Sequence, residues 1–268
     1  MIPTTDYHMH TYLCGHAIGE PYEYADHALS MGLTEIGFSD HAPFLKHPLP
    51  GITMRREELP EYHRMIEMVR GEYAGRLKIK IGIEADYLPG YEDETQAMLA
   101  DYPYDYVYGS VHFIGEWGFD NPDERQRWDQ SDINAVYRDY YTLLRRSAAS
   151  GLFDIMAHVD LVKKFGYRPT LDLSDEIRET ARIFKSYGVF IEINTSGLRK
   201  QVQEIYPSLD ALKIYAEEGV GIAFGSDSHF ATDVGRDFDK ARDLALAAGY
   251  QDYVVFRQRE VEERRPLI

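Results

Sequence analysis

Seven times along this chain a short apolar run rich in Val, Ile, Phe or Tyr is followed by a longer amphipathic stretch, and this alternation constrains the fold more than any other feature. The patterning predicts strands over 5–8, 35–39, 77–84, 106–111, 153–157, 189–194 and 221–225. Between them it predicts helices over 21–31, 56–73, 92–102, 133–150, 174–187, 207–218 and 233–248. Ser174 is the expected cap of its helix, and Gly32, Gly151, Gly188 and Gly249 fall where helices should stop. Strand–helix alternation implies parallel strands joined by crossover helices. Seven or eight such units in about 250 residues suggest an α/β barrel. An open doubly wound sheet competes, but no GxGxxG follows the first strand, so a dinucleotide site has no support. The apolar run 253–256 is a candidate extra strand. No linker or low-complexity segment divides the 268 residues, which are read as one domain, 1–268.

Six of the ten histidines fall at or just beyond the end of a predicted strand. His8 and His10 close the first, His41 the second, His112 the fourth, His158 the fifth and His229 the seventh. Glu84 ends the third strand, and Asp227 lies two residues before His229. In a parallel α/β fold these ends converge on one face, where sites are built. In an extended segment residues two apart point the same way, so the His8/His10 pair can grip one ion. Any one of these histidines alone is an ordinary structural residue. Their joint placement on one rim, with two acids, predicts a metal cluster. His16 lies in the loop after the first strand and borders the same face. His27 and His63 lie within predicted helices and read as surface residues, and His47 as a solvated loop residue. Cys14 is the only cysteine, which excludes an intrachain disulfide, and it reads as structural.

The formal charge of -16 argues against broad nucleic-acid binding. An anionic small substrate remains possible if bound metals make the site locally positive. The N-terminus lacks a signal-peptide pattern and no apolar run approaches the roughly 20 residues of a membrane span. The expectation is a cytoplasmic protein without membrane contact.

In chain order, HMH (8–10), SDH (39–41), GIE (82–84), SVH (110–112), AH (157–158) and SDSH (226–229) resemble the motifs of the PHP (polymerase and histidinol phosphatase) superfamily. Within it the closest resemblance is to histidinol-phosphate phosphatase, carried by GIEADY (82–87), GSVHFI (109–114), HVDLVKKFG (158–166), EINTSGLRK (192–200) and EIYP (204–207). The resemblance implies a distorted (β/α)7 barrel of PHP type with two or three divalent metal ions. It implies that His8, His10, Glu84 and Asp227 hold the first ion, His16, His41 and His229 the second, and a bridging Glu84 with His112 and His158 the third. Many members carry Asp at the position of His16. It also implies hydrolysis of L-histidinol phosphate in histidine biosynthesis, with Glu84, Asp227 and His229 as catalytic residues.

Phosphomonoester hydrolysis is slow unaided. Clustered metals acidify a bound water and clamp the phosphoryl oxygens. Histidine nitrogens favour Zn, Fe or Mn over Mg. Asp40 and Asp160 are candidates for orienting imidazoles. Arg199, after the sixth strand, is the first choice for holding phosphate, because guanidinium binds it bidentately. Lys163, Lys164 and Arg168, after the fifth, come next. The substrate's amine requires an acidic partner that the sequence does not single out. Three alternatives stand beside this reading. Another PHP phosphoesterase would take a different phosphomonoester. An amidohydrolase-type enzyme is disfavoured because Glu84 or His112 stands where that family typically has a metal-bridging Lys. A polymerase-associated PHP module is disfavoured by the intact set of ligands.

Overall fold

The computed structural model describes all 268 residues, Met1–Ile268. Seven parallel strands follow one another around the sheet in chain order: Thr5–Asp6, Glu35–Phe38, Lys78–Asp86, Tyr106–Ser110, Ile155–Met156, Phe190–Asn194 and Ile222–Gly225. Between and after them run α1 Pro21–Ser30, α2 Leu59–Glu72, α3 Glu92–Ala100, α4 Ile133–Ala149, α5 Ser174–Tyr187, α6 Leu209–Glu217 and α7 Phe238–Ala248. The seventh strand returns to the first. Tyr7 N–H donates to Phe224 O at 3.1 Å, and Ser228 N–H to His8 O at 3.1 Å. Asp6 reinforces this seam, its carboxylate accepting from Ser226 N–H (3.0 Å) and Gly235 N–H (2.8 Å). The sheet is therefore a nearly closed (β/α)7 barrel, and the open doubly wound alternative is set aside.

Side-chain size fills the barrel. Tyr7 and Tyr106 stack with ring centroids 4.7 Å apart, and the Tyr106 hydroxyl donates to Tyr7 O at 2.6 Å. A Cβ on Gly82 would stand 2.3 Å from the Tyr106 ring, so only glycine admits that ring. Burying such side chains is worth roughly 1.5–3 kcal/mol each.

Two helix starts depart from expectation, and the expected extra strand forms but finds its partner outside the barrel. Leu173, not Ser174, is the N-cap of α5, because Asp172 Oδ1 already accepts from Ser174 N–H at 2.9 Å. Helix α7 starts at Phe238; Asp237 adopts a left-handed backbone (φ +62°) that separates it from a short 3₁₀ turn over Ala231–Asp233. The run expected as an extra strand forms an antiparallel hairpin, Asp252–Arg257 with Glu260–Pro266, outside the barrel. It covers the N-terminal end of the strands. Phe256 N–H donates to the Tyr7 hydroxyl (3.0 Å), Arg265 pairs with buried Glu35 (2.7 Å) and Arg259 with Asp154 (2.9 Å). With that end sealed, the opposite rim is left for the site. No helix is long and apolar enough to cross a membrane.

Candidate metal centre

All nine predicted ligands meet at the C-terminal rim of the barrel. Glu84 is at the centre, buried two residues before the end of the third strand. Its Oε1 faces His158 Nε2 (2.9 Å) and His112 Nε2 (3.8 Å). Its Oε2 faces His41 Nδ1 (2.9 Å), His8 Nε2 (3.2 Å) and His10 Nε2 (3.8 Å). One carboxylate thus serves two groups of imidazoles. Asp227 Oδ1 lies 3.2 Å from His10 Nε2, and His229 Nε2 lies 2.8 Å from His16 Nε2. Ligand atoms lie within 4.8 Å of one another in each of the sets His8–His10–Asp227, His10–His41–His229 and Glu84–His112–His158. Two of the nine sit on left-handed backbone, His158 at φ +26° and Asp227 at φ +52°. Such conformations cost on the order of 1–3 kcal/mol each and persist where the surroundings enforce them.

Carboxylates behind the ring orient three of the imidazoles. Glu192 bonds His8 Nδ1 (2.7 Å), Asp86 bonds His112 Nδ1 (2.9 Å) and Asp40 faces His10 Nδ1 (3.3 Å). Each contact fixes a proton on Nδ1 and turns Nε2, the atom a metal ion would take, towards Glu84 or Asp227. A Cβ on Gly225 would lie 1.8 Å from Glu192 Oε1 and 2.6 Å from His8 Cβ, so glycine is required for the Glu192–His8 contact. Asp40 was expected in this role. Asp160 was also expected and is elsewhere, bonded to Lys163 (2.8 Å) and to Ser208 N–H (3.1 Å). Glu192 and Asp86 were missed. Their signals were legible: a carboxylate inside the apolar strand FIEIN must be paired when buried, and Asp86 shares a strand face with Glu84.

The donor set fits divalent metal. His8 Nε2 and Glu84 Oε2 are buried 3.2 Å apart, and neither makes an aligned hydrogen bond, although His41 Nδ1 also lies 2.9 Å from that oxygen. Buried polar atoms are ordinarily satisfied, so the pair fits a divalent cation held between them. Burial disfavours the Glu84 carboxylate, yet His41, His8 and His158 hold its pKa well below the ordinary value. Burial, helped by His41 and His10, lowers His16 to about 4, which keeps it neutral and competent as a ligand. Cys14 is less suited: its buried thiol contacts Thr11 O at 3.1 Å, and burial pushes its pKa up.

Above the cluster opens a cavity of about 650 Å³. Arg199 lines it, its guanidinium bonded to Ser226 O (2.5 Å) and Asp233 (3.3 Å). Lys164 also lines it, paired with Asp120 at 2.9 Å. Two expected phosphate ligands do not reach it. Lys163 is fully buried, bound to Asp160, Glu204 (3.0 Å) and Ile205 O (2.9 Å). Arg168 is half-exposed and pairs with Glu204 at 2.6 Å. Lys200, Lys46 and His47 line the cavity instead, His47 at its wall rather than in a solvated loop. Although Lys200 is exposed as a residue, the cavity walls desolvate its ammonium and, with Lys164 and Arg199, lower its pKa. His63, expected at the surface, is buried and stacked on Tyr102 with centroids 3.9 Å apart.

The sequence pattern of the PHP domain matches residues 6–196. A probable histidinol-phosphatase of Deinococcus radiodurans is 41% identical over 259 residues, covering 96% of this chain and 98% of that one. The histidinol-phosphatase of Bacillus subtilis is 31% identical, covering 87% and 96%. Among solved structures, histidinol phosphate phosphatase of Lactococcus lactis, complexed with zinc, L-histidinol and phosphate, superposes with a TM-score of 0.84 at 25% identity, covering 97% of this chain and 99% of that one. The motifs that suggested the superfamily are those that meet around Glu84, and on the extent of these matches the chain belongs to the PHP domain family.

Proposed function

We infer that the chain is a metal-dependent phosphatase that hydrolyses L-histidinol phosphate to L-histidinol and inorganic phosphate, a reaction of histidine biosynthesis. The observation that carries the reading is the Glu84 carboxylate, shared between two groups of imidazoles beneath a cavity to which Lys164, Arg199 and Lys200 contribute. The 41% identity to a probable histidinol-phosphatase over nearly the whole chain supports the substrate.

Two or three divalent ions fit the donors. His8, His10, Glu84 and Asp227 would hold one, His16, His41 and His229 a second, and Glu84 with His112 and His158 a third. Zinc suits this nitrogen-rich set, and iron and manganese are compatible with it. Bound there, the ions would supply Lewis acidity and an acidified water. Glu84 fixes the spacing between the groups. Asp227 and His229, beside His10 and His16, orient the attacking water, whose oxygen bonds to phosphorus as the bond to the histidinol oxygen breaks. The proton that the attacking water gives up balances the one that the departing alkoxide takes up, so that L-histidinol and inorganic phosphate are released. Arg199, Lys164 and Lys200 offset the phosphate's negative charge from the cavity wall. A phosphate-release screen over phosphorylated metabolites, with the metal content of the same preparation measured, tests the assignment. L-Histidinol phosphate should give the highest kcat/KM; a higher value for an unrelated phosphomonoester would overturn the substrate and leave the phosphatase class.

A further inference from the structure

The charges lining the cavity pair off, with two exceptions. Six carboxylates line it. Asp86 is bonded to His112, Glu116 to Lys46 and Asp120 to Lys164, each at 2.9 Å. Asp227 faces His10 at 3.2 Å, and Asp233 holds Arg199 at 3.3 Å and Arg236 at 2.7 Å. Glu124 alone has neither a cation nor a hydrogen-bond donor against its carboxylate. Of the four Lys and Arg residues that line the cavity, Lys46, Lys164 and Arg199 are engaged in those pairs, and Lys200 alone has no anion. The half-buried Glu124 gives up part of its hydration without an internal partner in return.

The segment that carries Glu124 is firmly held. Immediately after His112 the chain folds into a tight hairpin, Phe113–Ile114 with Trp117–Gly118, and Phe119 N–H returns to His112 O at 3.2 Å. Trp128 Nε1 donates to Phe119 O at 2.7 Å, and its ring stacks on Tyr167 at 5.2 Å. Glu124 lies between these anchors on the 3₁₀ stretch Pro122–Gln130. A Cβ on Gly118 would stand 3.3 Å from Glu124 Oε1, so the glycine leaves room beside the carboxylate. An unpaired anion carried on a firmly held segment of a cavity wall is a receptor for a cation that needs little backbone rearrangement.

We propose that Glu124 receives the ammonium group of the substrate, so that the cavity selects phosphomonoesters carrying a protonated amine. The inference rests on the phosphatase reading above and deepens it. The phosphate is drawn to the metal face, where Lys200 is the spare positive charge, and the ammonium is drawn to the spare negative charge carried by the Pro122–Gln130 stretch. The two unpaired charges of the cavity match the two charges of an amino-alcohol phosphate.

The test compares L-histidinol phosphate with its deamino analogue, imidazolylpropyl phosphate, on the metal-loaded wild type, Glu124→Gln and Glu124→Asp. The wild type should prefer the aminated ester by at least about tenfold. Glu124→Gln should lower kcat/KM for that ester by roughly ten- to a hundredfold, chiefly through KM, the scale of a lost charge-assisted hydrogen bond. The deamino ester should be unaffected, and Glu124→Asp should recover part of the preference. Calorimetric titration with L-histidinol and with imidazolylpropanol should show the same selectivity in binding. A wild type without preference for the amine, or an equal loss on both esters in Glu124→Gln, overturns the proposal and leaves the phosphatase reading intact. A wild type that neither hydrolyses L-histidinol phosphate nor binds L-histidinol overturns both.

Discussion

Replacing Glu192 by Gln changes one atom and no volume, yet should weaken metal binding. The Glu192 carboxylate is buried and accepts from three donors: His8 Nδ1 at 2.7 Å on Oε1, and His158 N–H at 2.8 Å and Asn194 Nδ2 at 2.9 Å on Oε2. A carboxylate can accept on both sides, whereas an amide must present NH₂ on one. The lower-cost orientation keeps the amide oxygen on the side with two donors and turns the NH₂ towards His8 Nδ1. His8 must then carry its proton on Nε2, the atom that faces Glu84 at 3.2 Å and would bind metal. The opposite orientation leaves a buried donor facing two others, at about 1–3 kcal/mol for each unsatisfied group. Either way metal affinity should fall by roughly ten- to a hundredfold, the usual effect of losing a residue that orients a ligand, equivalent to about 1.4–2.7 kcal/mol. Equilibration against a graded series of chelator concentrations, with metal measured in the protein, gives the affinity directly. Phosphate release should recover when metal is supplied in excess. Unchanged affinity in a folded Glu192→Gln protein would refute the tautomer argument and reduce Glu192 to a packing residue.

Arg199→Ala should keep its metal and its fold but lose roughly ten- to a thousandfold in kcat/KM for a phosphomonoester, on the scale of about 1.5–4 kcal/mol for a charge-assisted phosphate contact. Lys should rescue it only in part, and wild-type kinetics in Arg199→Ala would shift the phosphate contact to Lys164 and Lys200. Chelation should abolish phosphate release and lower the melting temperature, both restored by zinc; activity retained in demonstrably metal-free protein would sink the mechanism. For His63, burial, with Arg70 adding, lowers the pKa from 6.5 to about 4. The unfolded chain therefore takes up this proton first, and stability is lost as pH falls from 6.5 towards 4, by on the order of 2 kcal/mol at about pH 5. His63→Phe, which keeps an aromatic ring on Tyr102, should remove that share of the acid sensitivity; denaturant titrations at about pH 7 and about pH 5 would contradict this if wild type and variant lose stability equally.

The barrel and the inner ring of the site can be read from chain order and local pattern. Strand–helix alternation leaves few topologies, and functional residues of such a fold lie at strand ends, so local position along the chain already stands for position in space. His8, His10, His41, Glu84, His112, His158, Asp227 and His229 were legible for that reason, and His16 from the loop that borders them. Partnerships set by contacts between remote segments were not legible. Nothing local separates Lys163 from Lys164: a single 3₁₀ turn over Leu161–Lys163 buries one against Asp160 and Glu204 and leaves the next at the cavity wall. Glu192 could be marked as a carboxylate needing a partner, but the partner, His8, lies 184 residues away. The exterior hairpin and the unpaired state of Glu124 are likewise decided by which surfaces meet when the chain closes. Periodicity is a one-dimensional signal, whereas pairing a charge or satisfying a donor depends on three-dimensional proximity, which only the tertiary structure supplies.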